Sequence, residues 1–369
     1  MLTLSMMLLL AAPDEAQTKA VMRSALHAVV GLQPYLGSPD AFRDPANRPA
    51  IDADLATLAT LEHRFAMPGR QDAAVETLAG VFGTQIATAQ AELRAGNTEA
   101  PRARLRAITS LCFACHTRES VPNDFIDATR VVDSLRLPPL RRAEFFATTR
   151  QFELALQAWS LALKASPASE AEAFDQAVAT RQYLAVLVRV KDDRQSTMAA
   201  ITRQLARKDL PTFTRLLLEQ WQKDAKAWQA DAFDAKAATA TALVAKARAL
   251  VEASGAMKSA MSDEGLFIPS LRAAGYLHAA LDREPQAIWR GEALYLLAIA
   301  AAATLDPQLW ELEGLYLEAC IREKPHSDIA RKCSARMYDR AWFGFTGSGG
   351  TRIPDDVAQK LATLRQLAK

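Results

Sequence analysis

Residues 107–116 read Ala107-Ile108-Thr109-Ser110-Leu111-Cys112-Phe113-Ala114-Cys115-His116. Two thiols three positions apart, with an imidazole directly after the second, form the attachment signature of a c-type haem. In such a site the thiols add across the two vinyl groups of the porphyrin, and the histidine becomes an axial ligand of the iron. The expectation is therefore one covalent haem c, held by Cys112 and Cys115, with His116 on the metal. Buried helix cysteines beside an incidental histidine are the plain alternative. A zinc site would need a second ligand pair, which the sequence lacks, and a thioredoxin-like pair would need a βαβ setting. At helical spacing Leu105, Ile108, Cys112 and Cys115 share one face of a helix expected from about Glu99 to Glu119. That face aims both thiols and the histidine at the interior of a helical bundle.

The chain around this motif suits helices. Its 369 residues are enough for two domains and a substantial core. Half of them are hydrophobic, Ala and Leu abound, and Gly and β-branched residues are modest, so the fold class expected is all-α. A net charge of +2 with interspersed signs gives no reason to expect nucleic acid or an anionic membrane as partner. Four cysteines do not make a disulfide scaffold.

The first twelve residues, Met1 to Ala12, form an apolar run of signal-peptide length, too short to span a bilayer and without the usual basic start. Attachment of a c-type haem takes place outside the cytoplasmic membrane, so residues 1–12 are expected to be an export signal. The location that follows is the periplasm or another extracytoplasmic compartment of a bacterium. No later stretch is long and apolar enough for a transmembrane helix.

Residues 13–120 show the pattern of four helices. The first is expected from Glu15 to Gln33, with Met22, Ala25, Leu26, Val29 and Leu32 on one stripe, ended by Pro34 and the Gly37-Ser38-Pro39 break. Asp40 to Ala50 reads as irregular. A second helix, capped by Asp52, turns Leu55, Leu58 and Phe65 inward and stops before Pro68. A third, from near Gln71, carries Val75, Leu78, Phe82, Ile86 and Leu93 on one face and ends at Gly96. Four helices with the attachment motif late in the fourth resemble the cytochrome c prime family of haem four-helix bundles. The resemblance rests on Ala107 to His116 and the helix around Lys19-Ala20-Val21-Met22, and covers about the first third of the chain. In that family a first-helix residue faces the haem's distal side: leucine in gas-binding members, methionine in electron-transferring ones. With the register kept, the resemblance implies that Met22 holds that place as sixth ligand; an ordinary core methionine and an open sixth position are the alternatives. His27, His63 and Met67 are lesser candidates. The chain departs from the family in having Arg118 earlier than the usual basic residue after the histidine, and in its long proline-rich link between helices one and two.

Arg102, Arg104, Arg106 and Arg118 make the motif helix basic: a solvated face beside Glu99 and Glu119, or a patch for an acidic redox partner or haem propionates. Residues 121–135 form a connector with a short helix near Phe125 to Leu135. Residues 136–342 read as an α-solenoid of hairpins resembling tetratricopeptide repeats. Its best match has Ala143 and Phe146 in one helix, then Phe152, Ala155, Trp159 and Ala162 in the next, closed by Pro167. Further helices are expected at about 169–190, 194–208, 211–230 and 235–252. A break follows over Gly255 to Pro269, then a pair at 289–304 and 307–323. The charged run from Gln222 to Lys236 reads as a solvated face. Cys320 and Cys333, on consecutive helices at similar distances from the turn at Pro325-His326, could pair in an oxidising compartment.

No nucleophile, base and orienting acid assemble, and His278 and His326 stand alone, so the chain does not read as an enzyme. Residues 343–369 form a glycine-rich loop, lacking the strand and Lys-Ser/Thr of a phosphate loop, and a last helix over Asp355 to Leu367. The function expected is one-electron transfer, with the repeat-like region docking a redox partner protein. The rivals are a haem-based gas sensor and an envelope scaffold.

Overall fold

The structure, a computed structural model, describes residues 15–65, 73–117, 128–135, 137–253, 264–304 and 312–369. The expected export signal, Pro68, Met67 and Arg118 lie outside them, as does the start of the connector. The fold is all-α, with one two-residue-stranded hairpin among the described residues. The chain divides into two compact units, residues 1–109 and 110–369.

The first unit contains α1 (Glu15–Leu36), α2 (Pro39–Arg43), a 3-10 turn (Pro45–Asn47), α3 (Arg48–Phe65), α4 (Ala73–Arg94) and the first part of α5 (Glu99–His116). Much of the stretch expected to be irregular is thus helical. Ser38 accepts a hydrogen bond from the Ala41 amide at 3.2 Å, and Pro39 takes the first helical position. That serine–proline pair is a helix start. Asp52 is no cap: it lies inside α3 and receives Arg48 Nε at 2.9 Å. Helix α1 runs three residues past Gln33, with Pro34 in its final turn. Helix α4 ends as its sequence foretold. Gly96 has φ of 84°, the Asn97 amide reaches the Glu92 carbonyl, and the Gly96 amide reaches that of Leu93, both at 3.0 Å.

Helix α1 packs on α3, and α3 on α4. The buried row of α1 is Val21, Ala28, Leu32 and Leu36, one residue round from the expected stripe. Met22, Ala25, Leu26 and Val29 are half-buried. Apolar residues on both flanks make the helix surface broad, so its periodicity does not fix the centre of the stripe. Ile51, Leu55, Leu58 and Leu61 of α3 and Phe82, Ile86 and Leu93 of α4 complete this core. Gly31 leaves room for the Asp54 side chain: a Cβ on it would lie 2.3 Å from Asp54 Oδ2. Burial raises the pKa of that Asp54 carboxyl.

The second unit continues through α6 (Ala128–Leu135), α7 (Pro139–Thr148), α8 (Phe152–Ala162), α9 (Glu170–Ala185), a π-helical turn (Val186–Val190), α10 (Arg194–Leu205), α11 (Thr212–Gln229) and α12 (Ala240–Ala253). Then come α13 (Phe267–Arg283), α14 (Arg290–Thr304), α15 (Leu312–Glu323), α16 (Asp328–Gly344), β1 (Thr346–Gly347), β2 (Gly350–Thr351) and α17 (Asp355–Ala368). Helices adjacent in sequence pack on one another: α7 on α8, α10 on α11, and each from α12 to α17 on the next. Most of the expected break lies outside the described residues, but its last three, Phe267 to Pro269, begin α13. Pro269 sits in the first turn of the helix, where the missing amide proton has no intrahelical partner to lose. Phe267, Ile268, Leu271, Leu277 and Ala280 of this helix are core residues.

One charged side chain in α13 gathers its surroundings. Arg272 is only 6% exposed. Its Nη2 lies 2.6 Å from Asp231 Oδ2, and Lys246 Nζ lies 2.8 Å from the same oxygen. Arg272 and Arg194 both lie over the Trp228 ring, at 5.2 and 5.8 Å from its centroid. Arg194 also donates to the carbonyls of Trp228, Asp231 and Phe233. Burial acts to raise the Asp231 pKa, but the hydrogen bonds from Lys246 and Arg272 hold it well below the usual carboxylate range. Asp224 and Asp231 are therefore not part of a solvated face, whereas Lys223, Lys226, Asp234 and Lys236 of the same run are exposed. Burial pushes the Asp224 pKa up. Its Oδ1 accepts from Gln220 Nε2 at 3.2 Å, while Oδ2 is buried without a hydrogen-bond partner.

Cys320 of α15 and Cys333 of α16 form a disulfide across 13 residues. Helix α17 folds back on α15 and α16, with Lys360 on Glu318 at 2.7 Å and the His326 amide on the Leu367 carbonyl at 3.1 Å. Among the described residues no helix is long and apolar enough to cross a membrane.

Removing one partner of a buried ion pair strands the other, so Asp231→Ala lowers unfolding free energy by about 3 kcal/mol in denaturant titration. Asp224→Asn acts oppositely. The raised carboxyl favours the fold when protonated and loses that contribution as pH rises through its folded pKa, so the variant is more stable than the parent at pH 7. The difference vanishes below the ordinary aspartate pKa of about 3.9.

Candidate functional site

The last turns of α5 carry the thiols and the imidazole. The helix starts with Asn97 accepting from the Ala100 amide at 3.4 Å and with Glu99 in its first turn. At 100° per residue its end presents two faces. One holds Phe113 and Thr117, both buried. The Thr117 amide and hydroxyl both donate to the Phe113 carbonyl, at 2.9 and 2.8 Å. The Phe113 ring meets Trp159 of α8 edge-on, centroids 6.4 Å apart and planes at 85°. Trp159 is fully buried.

The other face holds Cys112 and His116, both half-buried. Cys115 follows Cys112 by three residues in the same helical backbone, and its side chain lies outside the described atoms. His116 Nδ1 lies 2.5 Å from the Thr148 carbonyl oxygen. Thr148 is the last residue of α7, whose preceding carbonyls are all engaged by the following turn. Phe145 takes the Thr149 amide, Phe146 takes Gln151, and Ala147 takes Arg150. The end of the helix thus offers the Thr148 carbonyl, at the negative pole of its dipole, to the imidazole. A carbonyl only accepts, so Nδ1 carries the proton. In the neutral ring the lone pair is then on Nε2. That is the tautomer a metal-ligating histidine needs, and an Nδ1–H donated to a carbonyl is what normally fixes it. Two cysteine positions one turn apart and an imidazole so oriented suit a covalently held haem.

The other expected residues are placed as follows. Met22 is half-buried on α1, in residues 1–109, and His27 on the same helix is exposed. His63 belongs to the backbone of α3, with its side chain outside the described atoms. Arg102 donates to the Leu36 carbonyl at 3.0 Å, and Arg104 reaches Gln85 at 2.6 Å and Glu92 at 3.1 Å. These two arginines tie helices of the first unit together. Buried His278 faces the Tyr316 hydroxyl at 3.3 Å, and His326 occupies a left-handed turn with φ of 58°. Thr148 was invisible as a site residue: it acts through a carbonyl that every residue has, 32 positions from His116.

Comparison with family models, with curated proteins and with solved structures gave no match.

Phe113→Ala removes the ring that seats this segment on α8. It costs about 3 kcal/mol of stability, read by denaturant unfolding followed through tryptophan fluorescence.

Proposed function

We propose that the chain is an exported monohaem c-type cytochrome that works in one-electron transfer. The observation that carries this reading is the orientation of His116. Its Nδ1 is held by the Thr148 carbonyl one turn after Cys112, on the helix that also bears Cys115. What distinguishes His116 from a plain helix-capping histidine is the pair of cysteine positions directly before it. When bound, the haem supplies one-electron exchange at its iron. The chain's own residues do the rest: Cys112 and Cys115 anchor the macrocycle, and His116 presents Nε2 to the metal. Phe113 keeps the attachment segment seated against Trp159.

On this reading α1, α3, α4 and α5 form a haem-binding bundle of the cytochrome c prime kind, and Met22 is the proposed sixth ligand. The hairpins from α7 to α16 form a tetratricopeptide-like solenoid on which a redox partner protein docks. The α7–α8 pair supports this: Ala143, Phe146, Phe152, Ala155 and Trp159 are buried, and Ala162, the sixth residue of the pattern, is half-buried. The Cys320–Cys333 disulfide supports an oxidising compartment such as the periplasm.

The test is expression with a c-type maturation system followed by haem analysis. The expected result is one haem per chain that survives denaturation, lost in Cys112→Ser with Cys115→Ser. A low-spin spectrum indifferent to carbon monoxide, turning high-spin in Met22→Leu, is expected for electron transfer. A high-spin spectrum that shifts with the gas in the parent protein replaces that role with gas binding. Absence of covalent haem removes both.

A further inference from the structure

We infer that the α7–α8 hairpin is a regulatory lever on the iron, so that the state of the helical region beyond it sets the reduction potential. This rests on the haem reading above. The hairpin grips the end of α5 at two points on two different helices. Trp159 of α8 holds Phe113, and the carbonyl at the end of α7 holds His116. With Phe113 fixed on one arm, a change in the splay of the arms moves the other contact. It is converted directly into the length of the His116–Thr148 hydrogen bond.

The turn between the arms is built to hold that carbonyl in place. The Thr148 and Thr149 hydroxyls both donate to the Phe145 carbonyl at 2.9 Å. Arg150 has φ of 60°, a left-handed conformation that a non-glycine residue adopts at some cost. The Gln151 amide closes the turn on the Phe146 carbonyl at 2.7 Å. Helix α9 packs on both arms, so whatever docks further along the helical region reaches the hairpin through it.

The chemistry gives the direction. Donating Nδ1–H to a carbonyl at the negative end of a helix makes the imidazole more electron-rich at Nε2. An electron-rich ligand favours ferric over ferrous iron, so a shorter bond lowers the potential and a weaker one raises it. By linkage the effect is reciprocal: the oxidation state of the iron changes the stability of the turn.

Replacing Thr149 by its α-hydroxy acid in the full-length, haem-loaded protein turns the Thr148–Thr149 amide into an ester and weakens the Thr148 carbonyl as acceptor. The expected outcome is a shift toward ferrous iron of about threefold, or about 28 mV at 59 mV per tenfold for one electron. The same exchange at Arg150 serves as control. It removes the Arg150 amide's bond to Ala147 but leaves the Thr148 amide whole, and the potential stays at the parent value. Hydrogen exchange on the unmodified protein gives an independent reading: amides 149–151 exchange more slowly in the ferric state, by about the same factor. Covalent haem with equal potentials in both ester variants, or with equal exchange in both oxidation states, overturns the inference and leaves the cytochrome reading standing. A chain that takes up no haem overturns that reading and the inference with it.

Discussion

A helix turns 100° per residue, and the end of α5 has to satisfy two demands within five positions. Cys112, Cys115 and His116 fall within one arc of its surface; Phe113 and Thr117 fall about a third of a turn away. The second pair is buried, and Phe113 is seated against Trp159 of α8, which gives the first arc a defined direction. Were Phe113 polar, the helix end would have nothing to seat it, and the imidazole could not hold a single orientation against Thr148. Placement of the proposed site thus depends on Phe113, a residue between the two cysteines that the proposal gives no chemistry. The variable positions of such a motif are free as far as the thiols are concerned, but not as far as the fold is concerned.

A buried charge organises the larger unit in a comparable way. Arg272 on α13 requires Asp231, Lys246 shares that carboxylate, and Trp228 underlies both Arg272 and Arg194. Loss of any member leaves a charge with poor solvation, which is why such clusters specify one arrangement more than they add stability. Here the cluster joins the loop after α11 to α12 and α13, with Arg194 of α10 closing it, through a region where the sequence shows no clear repeat. Polar specificity stands in for the small-residue complementarity that the α7–α8 hairpin uses.

What the sequence made legible was local. Gly96 announced a helix end because only a left-handed residue closes that motif cheaply. The positions of Cys320 and Cys333 about a turn made pairing one of the open readings, and the disulfide bears that one out. Local signals also misled. Pro269 reads as a breaker because proline disrupts a helix interior, yet in the first turn of α13 it is tolerated. Ser38-Pro39 was read as a loop for a similar reason, although serine followed by proline is a helix start. Asp224 and Asp231 looked solvated because charge alone says nothing of the partner, and Arg272 is some 40 residues away. Thr148 carried no signal, since backbone carbonyls are not encoded by residue type.

The two halves of the site differ in how they could have been found. Thiols and imidazole are side chains, and their spacing is chemistry written in one turn of helix. The tautomer of that imidazole is set by topology, by which helix happens to end against it. A helix that ends there has a carbonyl without an intrahelical partner, and an imidazole with a proton to donate meets the need of both. The economy of the arrangement is that one hydrogen bond completes α7 and orients His116. The same bond therefore cannot be adjusted for one purpose without being felt in the other, and this is what makes the hairpin after the motif a participant in the site and not only a neighbour of it.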